Sequence, residues 1–173
     1  MNATPRLTLA LAQTNLLVGD VQGNLACALR AAARARDELG ADLVLFPELT
    51  LSGYPPEDLL FHRGLRIQIE RALQGLEAVP GIGMVIGFPE YEGTRIYNSA
   101  AVYLDGQRVA LTRKSCLPNY QVFDEKRYFT AGGDPAVFEC QGFRIGLLVC
   151  EDIWEREPAR RARAAGAELL LVI

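Results

Sequence analysis

The chain has 173 residues, 50% of them hydrophobic and 23% charged, a composition that suits one soluble globular domain with a sizeable core. Its 18 Lys and Arg are scattered among 21 Asp and Glu for a net charge of −3, which argues against a nucleic-acid surface. No apolar run reaches the length of a membrane span and Met1 to Leu7 shows no secretory pattern, so the expected compartment is the cytoplasm.

Residues Leu7 to Gln13 read as a first strand, and the turn Gly19-Asp20 leads to a helix from about Asn24 to Leu39, its apolar stripe formed by Leu25, Leu29, Ala32 and Leu39 and its stop signal by Gly40. Asp42 to Phe46 is a short buried strand halted by Pro47, with Glu48 directly after it. This strand–helix–strand unit implies a parallel pair and an α/β fold. Thr50 to Asp58 is too rich in turn formers to be regular and reads as a functional loop. A helical region is expected from about Asp58 to Val79, then a buried strand from Gly83 to Phe88. Strands Ile96–Leu104 and Gln107–Thr112 flank Asp105-Gly106, a hairpin signal that makes the sheet mixed. The irregular stretch Arg113 to Phe129 carries four aromatics and should line a pocket. A further strand pair follows at Val137–Glu139 and Phe143–Val149, then a helix near Pro158 to Ala165 and a buried strand Glu168 to Ile173. An apolar strand at the very end suggests a truncated part of a larger protein.

The chemistry centres on Arg144 to Trp154, where an apolar strand ends in Cys150-Glu151-Asp152. Open α/β sheets present their chemistry at the carboxyl ends of strands, which is where Cys150 falls. A helix beginning just after it would aim its positive dipole end at the sulfur and lower the thiol pKa. Four cysteines, Cys27, Cys116, Cys140 and Cys150, have neither the spacing nor the histidines of a zinc site, and they suggest no disulfide framework. The single histidine, His62, reads as a structural residue on a helix. A base for Cys150 is therefore sought among carboxylates and lysines. Glu48 and Lys114 each follow a strand, so all three side chains converge on one rim if the strand directions allow it.

Phe46-Pro47-Glu48, Arg113-Lys114 and Val149 to Trp154 resemble the Glu, Lys and Cys motifs of the nitrilase, or carbon–nitrogen hydrolase, superfamily. Leu51 to Leu60 and Leu117 to Phe129 further resemble the glutaminase domains of glutamine-dependent NAD synthetases. The resemblance runs from the first strand to Ile173. It implies an α/β, nitrilase-like four-layer α-β-β-α sandwich over residues 1–173, incomplete at the C-terminus. It also implies glutamine as substrate, with ammonia passed to a synthetase domain that makes NAD from deamido-NAD and is absent from this chain. ATP and Mg²⁺ are expected only for that missing domain, since no Ser-Gly-Gly-x-Asp-Ser loop occurs here; the glutaminase part is expected to need no cofactor and no metal. A homo-oligomer is implied as well.

By the same resemblance Cys150 is the nucleophile, Glu48 the general base and Lys114 the oxyanion-stabilising cation. Tyr54, Tyr120, Phe123, Glu125 and Glu151 match positions that contact glutamine or brace the catalytic three. The roles make chemical sense, because amide hydrolysis needs a nucleophile, a proton shuttle and a positive group beside the carbonyl oxygen. Two other readings stay open: a stand-alone amidase of the same superfamily acting on another amide or nitrile, and a non-catalytic folding or oligomerisation module.

Overall fold

A computed structural model describes residues 5–76 and 79–173. In chain order, β1 (Leu9–Leu11), α1 (Val21–Asp37) and β2 (Leu43–Leu45) form the expected unit, with β1 and β2 parallel. A 3-10 turn at Glu57–Phe61 and α2 (Arg63–Leu76) precede β3 (Gly83–Glu92), β4 (Arg95–Leu104) and β5 (Gln107–Arg113). After the short helix α3 (Glu125–Tyr128) come β6 (Val137–Cys140), β7 (Phe143–Leu148), a second 3-10 turn at Cys150–Ile153, α4 (Arg156–Ala164) and β8 (Leu169–Val172). Two mixed sheets result: five strands in the order β1-β2-β3-β4-β5 and three in the order β6-β7-β8.

Strand alternation builds the layers. Leu43, Leu45, Val85, Ala100 and Val102 point from the larger sheet to the smaller one, where they meet Phe138, Ile145, Leu147, Val149 and Leu171. Val44, Phe46, Met84, Ile86 and Tyr103 point the other way, under α1 and α2. On the far side of the smaller sheet α4 lies so close that a Cβ on Gly146 would come within 3.0 Å of the Ala162 Cβ. The order is therefore α-β-β-α, as the resemblance implied.

Several local expectations shift. In α1 the buried face is Val21, Asn24, Ala28, Ala32 and Ala35, while Leu25 and Leu29 lie on its flank. Small alanines let the helix sit close to the sheet. The helix starts earlier than expected because Asp20 caps it, its carboxylate accepting the Gly23 N–H at 2.9 Å. It also ends before Leu39, which is exposed; Gly40 at φ +58 turns the chain so that the Ala41 N–H reaches the Ala35 carbonyl.

The single helix expected from Asp58 to Val79 is two elements. His62 is extended between them, and its Nδ1 accepts the Gly64 N–H at 3.1 Å, so the imidazole caps α2 and serves structure. The expected continuation over 77 and 78 lies outside the described residues. β3 runs on past Phe88 through Pro89 into a hairpin at Gly93. Pro89 is tolerated because its nitrogen faces the side of the Val85 and Gly87 carbonyls, where β2 has already ended. The Asp105-Gly106 hairpin has φ of +48 and +76 at its two turn residues, the conformation for which that dipeptide is suited.

Candidate active site

β2 and β3 are parallel, and β3, β4 and β5 are successively antiparallel, so β2 and β5 point the same way and end on one rim. Glu48 follows β2 and Lys114 follows β5. The turn that carries Glu48 crosses Gly87 of β3 so closely that a Cβ there would lie 2.6 Å from the Leu49 nitrogen and 2.9 Å from the Pro47 oxygen. Lys114 is held by its backbone, its N–H donating to the Asn98 carbonyl and its own carbonyl accepting from Gly132, both at 2.8 Å. From the other sheet, Cys150 follows β7 and prolongs the ladder to β8 by donating its N–H to the Ile173 carbonyl at 2.7 Å. Its φ of +44 is left-handed, an unusual state for a side-chain-bearing residue.

The Lys114 ammonium is fully buried and donates to Glu48 Oε1 at 2.7 Å and to Glu125 Oε1 at 2.8 Å. Burial alone would favour a neutral amine, but the two carboxylates outweigh it and hold the lysine charged. Glu125, on α3, shows the opposite balance: burial pushes its carboxyl up to about 6 against the pull of Lys114. Its Oε2 is buried with no hydrogen-bond partner. The Cys150 thiol is pushed up to about 11, first by burial and then by the charge of the neighbouring Glu48 carboxylate, with Lys114 opposing.

That value overturns the expectation of a dipole-activated thiolate. The segment after Cys150 is a single 3-10 turn, and the true helix α4 begins only at Arg156. Too few peptide dipoles are aligned at the sulfur to offset a dry site and a neighbouring carboxylate.

The five further residues fall into two groups. Tyr54, Phe123 and Glu125 share the wall of a cavity of about 360 Å³ between the Tyr54–Asp58 loop and the Val122–Phe129 segment. The Tyr54 hydroxyl is driven well up, first by burial and then by the charges of Glu48 and Glu125. Tyr120 and Glu151 instead border a neighbouring groove, where the half-exposed Tyr120 hydroxyl donates to both Glu151 oxygens at 3.0 and 3.1 Å. A T-shaped contact between Tyr120 and Phe123, centroids 5.7 Å apart, joins the two groups. Neither Cys150 nor Lys114 lines the cavity; Glu125 is the residue common to it and the charged cluster.

The carbon–nitrogen hydrolase family model matches residues 8–173. The chain belongs to the carbon–nitrogen hydrolase family. It is 46% identical over 169 residues to the glutamine-dependent NAD(+) synthetase of Xanthomonas campestris, an alignment covering 96% of this chain and 31% of that protein. The synthetase of Acinetobacter baylyi is 42% identical, over 95% of this chain and 30% of its own length. The chain thus spans about a third of the length of these curated relatives. Among solved structures, glutamine-dependent NAD+ synthetase from Acinetobacter baumannii superposes with a TM-score of 0.92 at 40% identity, covering 96% of this chain and 32% of that one. An amidase of the nitrilase superfamily from Nesterenkonia superposes with a TM-score of 0.87 at 33% identity, over 99% of this chain and 67% of its own. In a glutamate variant of that amidase, the acetamide moiety of fluoroacetamide is covalently added at the active-site cysteine.

Two buried polar residues at this candidate site escaped the sequence reading. Asn98, inside the apolar run of β4, donates from Nδ2 to Glu48 Oε1 at 2.6 Å. Asp152, 2% exposed, accepts the Ser115 N–H, the Ser115 hydroxyl and the Cys116 N–H on one oxygen, and the Val149 N–H on the other. The available signal was a polar side chain in a stretch otherwise committed to the core, where each such group needs a partner. No group of His, Cys, Asp and Glu among the described residues is arranged to hold a metal ion, and none of their helices is long and apolar enough to cross a membrane.

Proposed function

We propose that this chain hydrolyses the side-chain amide of glutamine through a thioester on Cys150, and that the ammonia serves an ATP-dependent synthetase part that converts deamido-NAD to NAD. The observation that carries the chemistry is one buried ammonium bridging two carboxylates, one of which, Glu48, also stands close enough to the Cys150 thiol to raise its pKa. Glu48 accepts the thiol proton as sulfur attacks the amide carbon. Lys114 and the N–H of Glu151, an amide of the first turn without an acceptor inside it, face the developing oxyanion. Protonated Glu48 then gives its proton to the departing ammonia, and on the return step takes one from the water that cleaves the thioester. Glu125 holds Lys114 in place and its unpartnered Oε2 is available to the substrate amide N–H. Tyr54, Tyr120, Phe123 and Glu151 shape the entrance and recognise the substrate's remaining polar groups.

The choice of glutamine rests on the 46% identity to a glutamine-dependent NAD(+) synthetase. ATP and Mg²⁺ would act in the synthetase part and not on these residues; a cytoplasmic homo-oligomer with that part covalently linked belongs to the same proposal. The likeness to the Nesterenkonia amidase supports a second reading, a small-amide hydrolase. Ammonia release is measured with glutamine, asparagine and acetamide for the parent and Cys150→Ala. Glutamine-selective release that Cys150→Ala abolishes, with an unchanged circular dichroism spectrum, is the expected result. Retained turnover in the variant sinks the mechanism, and preference for acetamide favours the second reading.

A further inference from the structure

We propose that Asp152 is a positioning residue that sets the distance between the Cys150 thiol and the Lys114 ammonium by clamping together the two segments that carry them; the proposal rests on the amide-hydrolysis reading above. The reacting groups come from different sheets. Glu48 and Lys114 end strands of the larger sheet, whereas Cys150 ends a strand of the smaller one. The sheets meet through apolar side chains such as Leu45, Val85 and Val102 against Ile145, Leu147 and Val149. Apolar packing is non-directional and leaves the relative slide of two layers weakly fixed. A reaction between groups on both layers needs them held to within about 0.5 Å.

Asp152 supplies a directional link across that seam. Its Oδ1 accepts the Ser115 N–H at 2.9 Å, the Ser115 hydroxyl at 2.8 Å and the Cys116 N–H at 2.9 Å. Its Oδ2 accepts the Val149 N–H at 3.2 Å. Ser115 is the residue after Lys114 and Val149 the residue before Cys150, so a single buried carboxylate ties the neighbour of the cation to the neighbour of the nucleophile. The Asp152 N–H closes back on the Val149 carbonyl at 3.0 Å, which fixes the carboxylate on the turn it serves. The same closure braces the left-handed Cys150, a conformation that persists only where its surroundings over-determine it. The Asp152 carboxylate bonds to Ser115, Cys116 and Val149 and not to the Glu48, Lys114 or Cys150 side chains, so it acts through the segments that carry them.

The test uses Asp152→Asn and Asp152→Ala in the whole chain. Asparagine keeps the shape but presents an N–H₂ either to Val149 or to the three donors of the Ser115–Cys116 segment, breaking one side of the clamp. Two readouts are taken: glutamine turnover per folded molecule, the folded fraction being read by circular dichroism, and the rate at which chloroacetamide alkylates Cys150, followed by site-resolved mass spectrometry. The expected result for Asp152→Asn is a kcat lower by about 10- to 100-fold, the order of loss for a misplacement near 1 Å. KM should stay within about threefold and the pH limbs should not move, and Cys150 alkylation should slow in step. A merely structural role would lower the folded fraction but leave kcat per folded molecule intact, and that outcome overturns the proposal. If Asp152→Ala does not fold, Asp152→Asn decides alone. If the parent releases no ammonia from any amide, the hydrolysis reading fails separately, and the clamp is judged on alkylation: an unchanged rate in Asp152→Asn overturns it.

Discussion

Lys114→Met keeps the length and apolar stem of a fully buried side chain and deletes the ammonium that touches Glu48 at 2.7 Å and Glu125 at 2.8 Å. Two oxygens this close to one nitrogen lie at most about 5.5 Å apart, so the ionised carboxylates left behind would repel by about 3 kcal/mol at an effective dielectric near 20. Taking one partner from a buried ionic group costs about 3–5 kcal/mol, a large share of the roughly 5–15 kcal/mol that holds a domain folded. The carboxylates can relieve this by binding protons. Glu125 already stands at about 6 in the parent because burial outweighs Lys114, and without the ammonium it moves higher still. A folded pKa above the unfolded value of about 4.3 means that stability is present below that value and is lost as pH rises through the folded one. Urea unfolding at about pH 5 and about pH 8 therefore separates the causes. The variant should lose about 3–5 kcal/mol relative to the parent at the higher pH and less than half of that at the lower one. Equal losses at both pH values would refute charge compensation and leave packing as the function of the side chain.

Gly87→Ala places a methyl group 2.6 Å from the Leu49 nitrogen and 2.9 Å from the Pro47 oxygen, both backbone atoms of the turn that carries Glu48. Turnover should fall at least tenfold for about 1–3 kcal/mol of lost stability; turnover at the parent level would show that the turn can shift without moving Glu48. Asn98→Ala removes a 2.6 Å charge-assisted hydrogen bond to Glu48 and should lower kcat about tenfold or more, checked against an unchanged thermal midpoint within a few degrees. Brief methylthiolation across a pH series, read by mass spectrometry, should show Cys150 reacting with a midpoint near 11. A midpoint near or below the ordinary thiol value of about 8.5 would restore the helix-dipole account.

Much of this architecture is written as short continuous apolar runs and turn dipeptides. Leu43 to Phe46 and Ile145 to Val149 carry no polar side chain, which a strand covered on both faces requires, and Asp105-Gly106 fixes the hairpin by its tolerance of positive φ. Boundaries set by side-chain caps were harder to see. Neither the Asp20 cap nor the break at His62 follows from apolar spacing, so α1 began early and one expected helix became two elements. At the candidate site, the strand ends announced Glu48, Lys114 and Cys150. Asn98 and Asp152 were hidden because their meaning lies in partners 50 and 37 residues away in sequence. The thiol was misjudged for a related reason: a dipole is a local inference, whereas burial beside Glu48 arises only when two sheets meet.

The raised thiol pKa makes sense of the carboxylate base. At neutral pH a thiol near 11 is protonated by about four orders of magnitude, equivalent to roughly 5 kcal/mol against a free thiolate. Burial is the larger cause of the raised value, but part of the cost arises because a thiolate would stand beside Glu48, and transfer of the proton to Glu48 removes that repulsion in the same event. Two carboxylates and one ammonium carry a net charge of minus one before the transfer. Afterwards Glu48 is neutral and the negative charge resides on the substrate oxygen, still in reach of Lys114. The total charge of the buried group never changes; only its location does. Such a site discriminates against a bare thiolate and favours the charge only when a carbonyl is present to receive it, which keeps Cys150 quiescent between turnovers. An imidazole in place of Glu48 would become a second cation beside Lys114 on taking the proton, so a carboxylate is the base that this lysine permits.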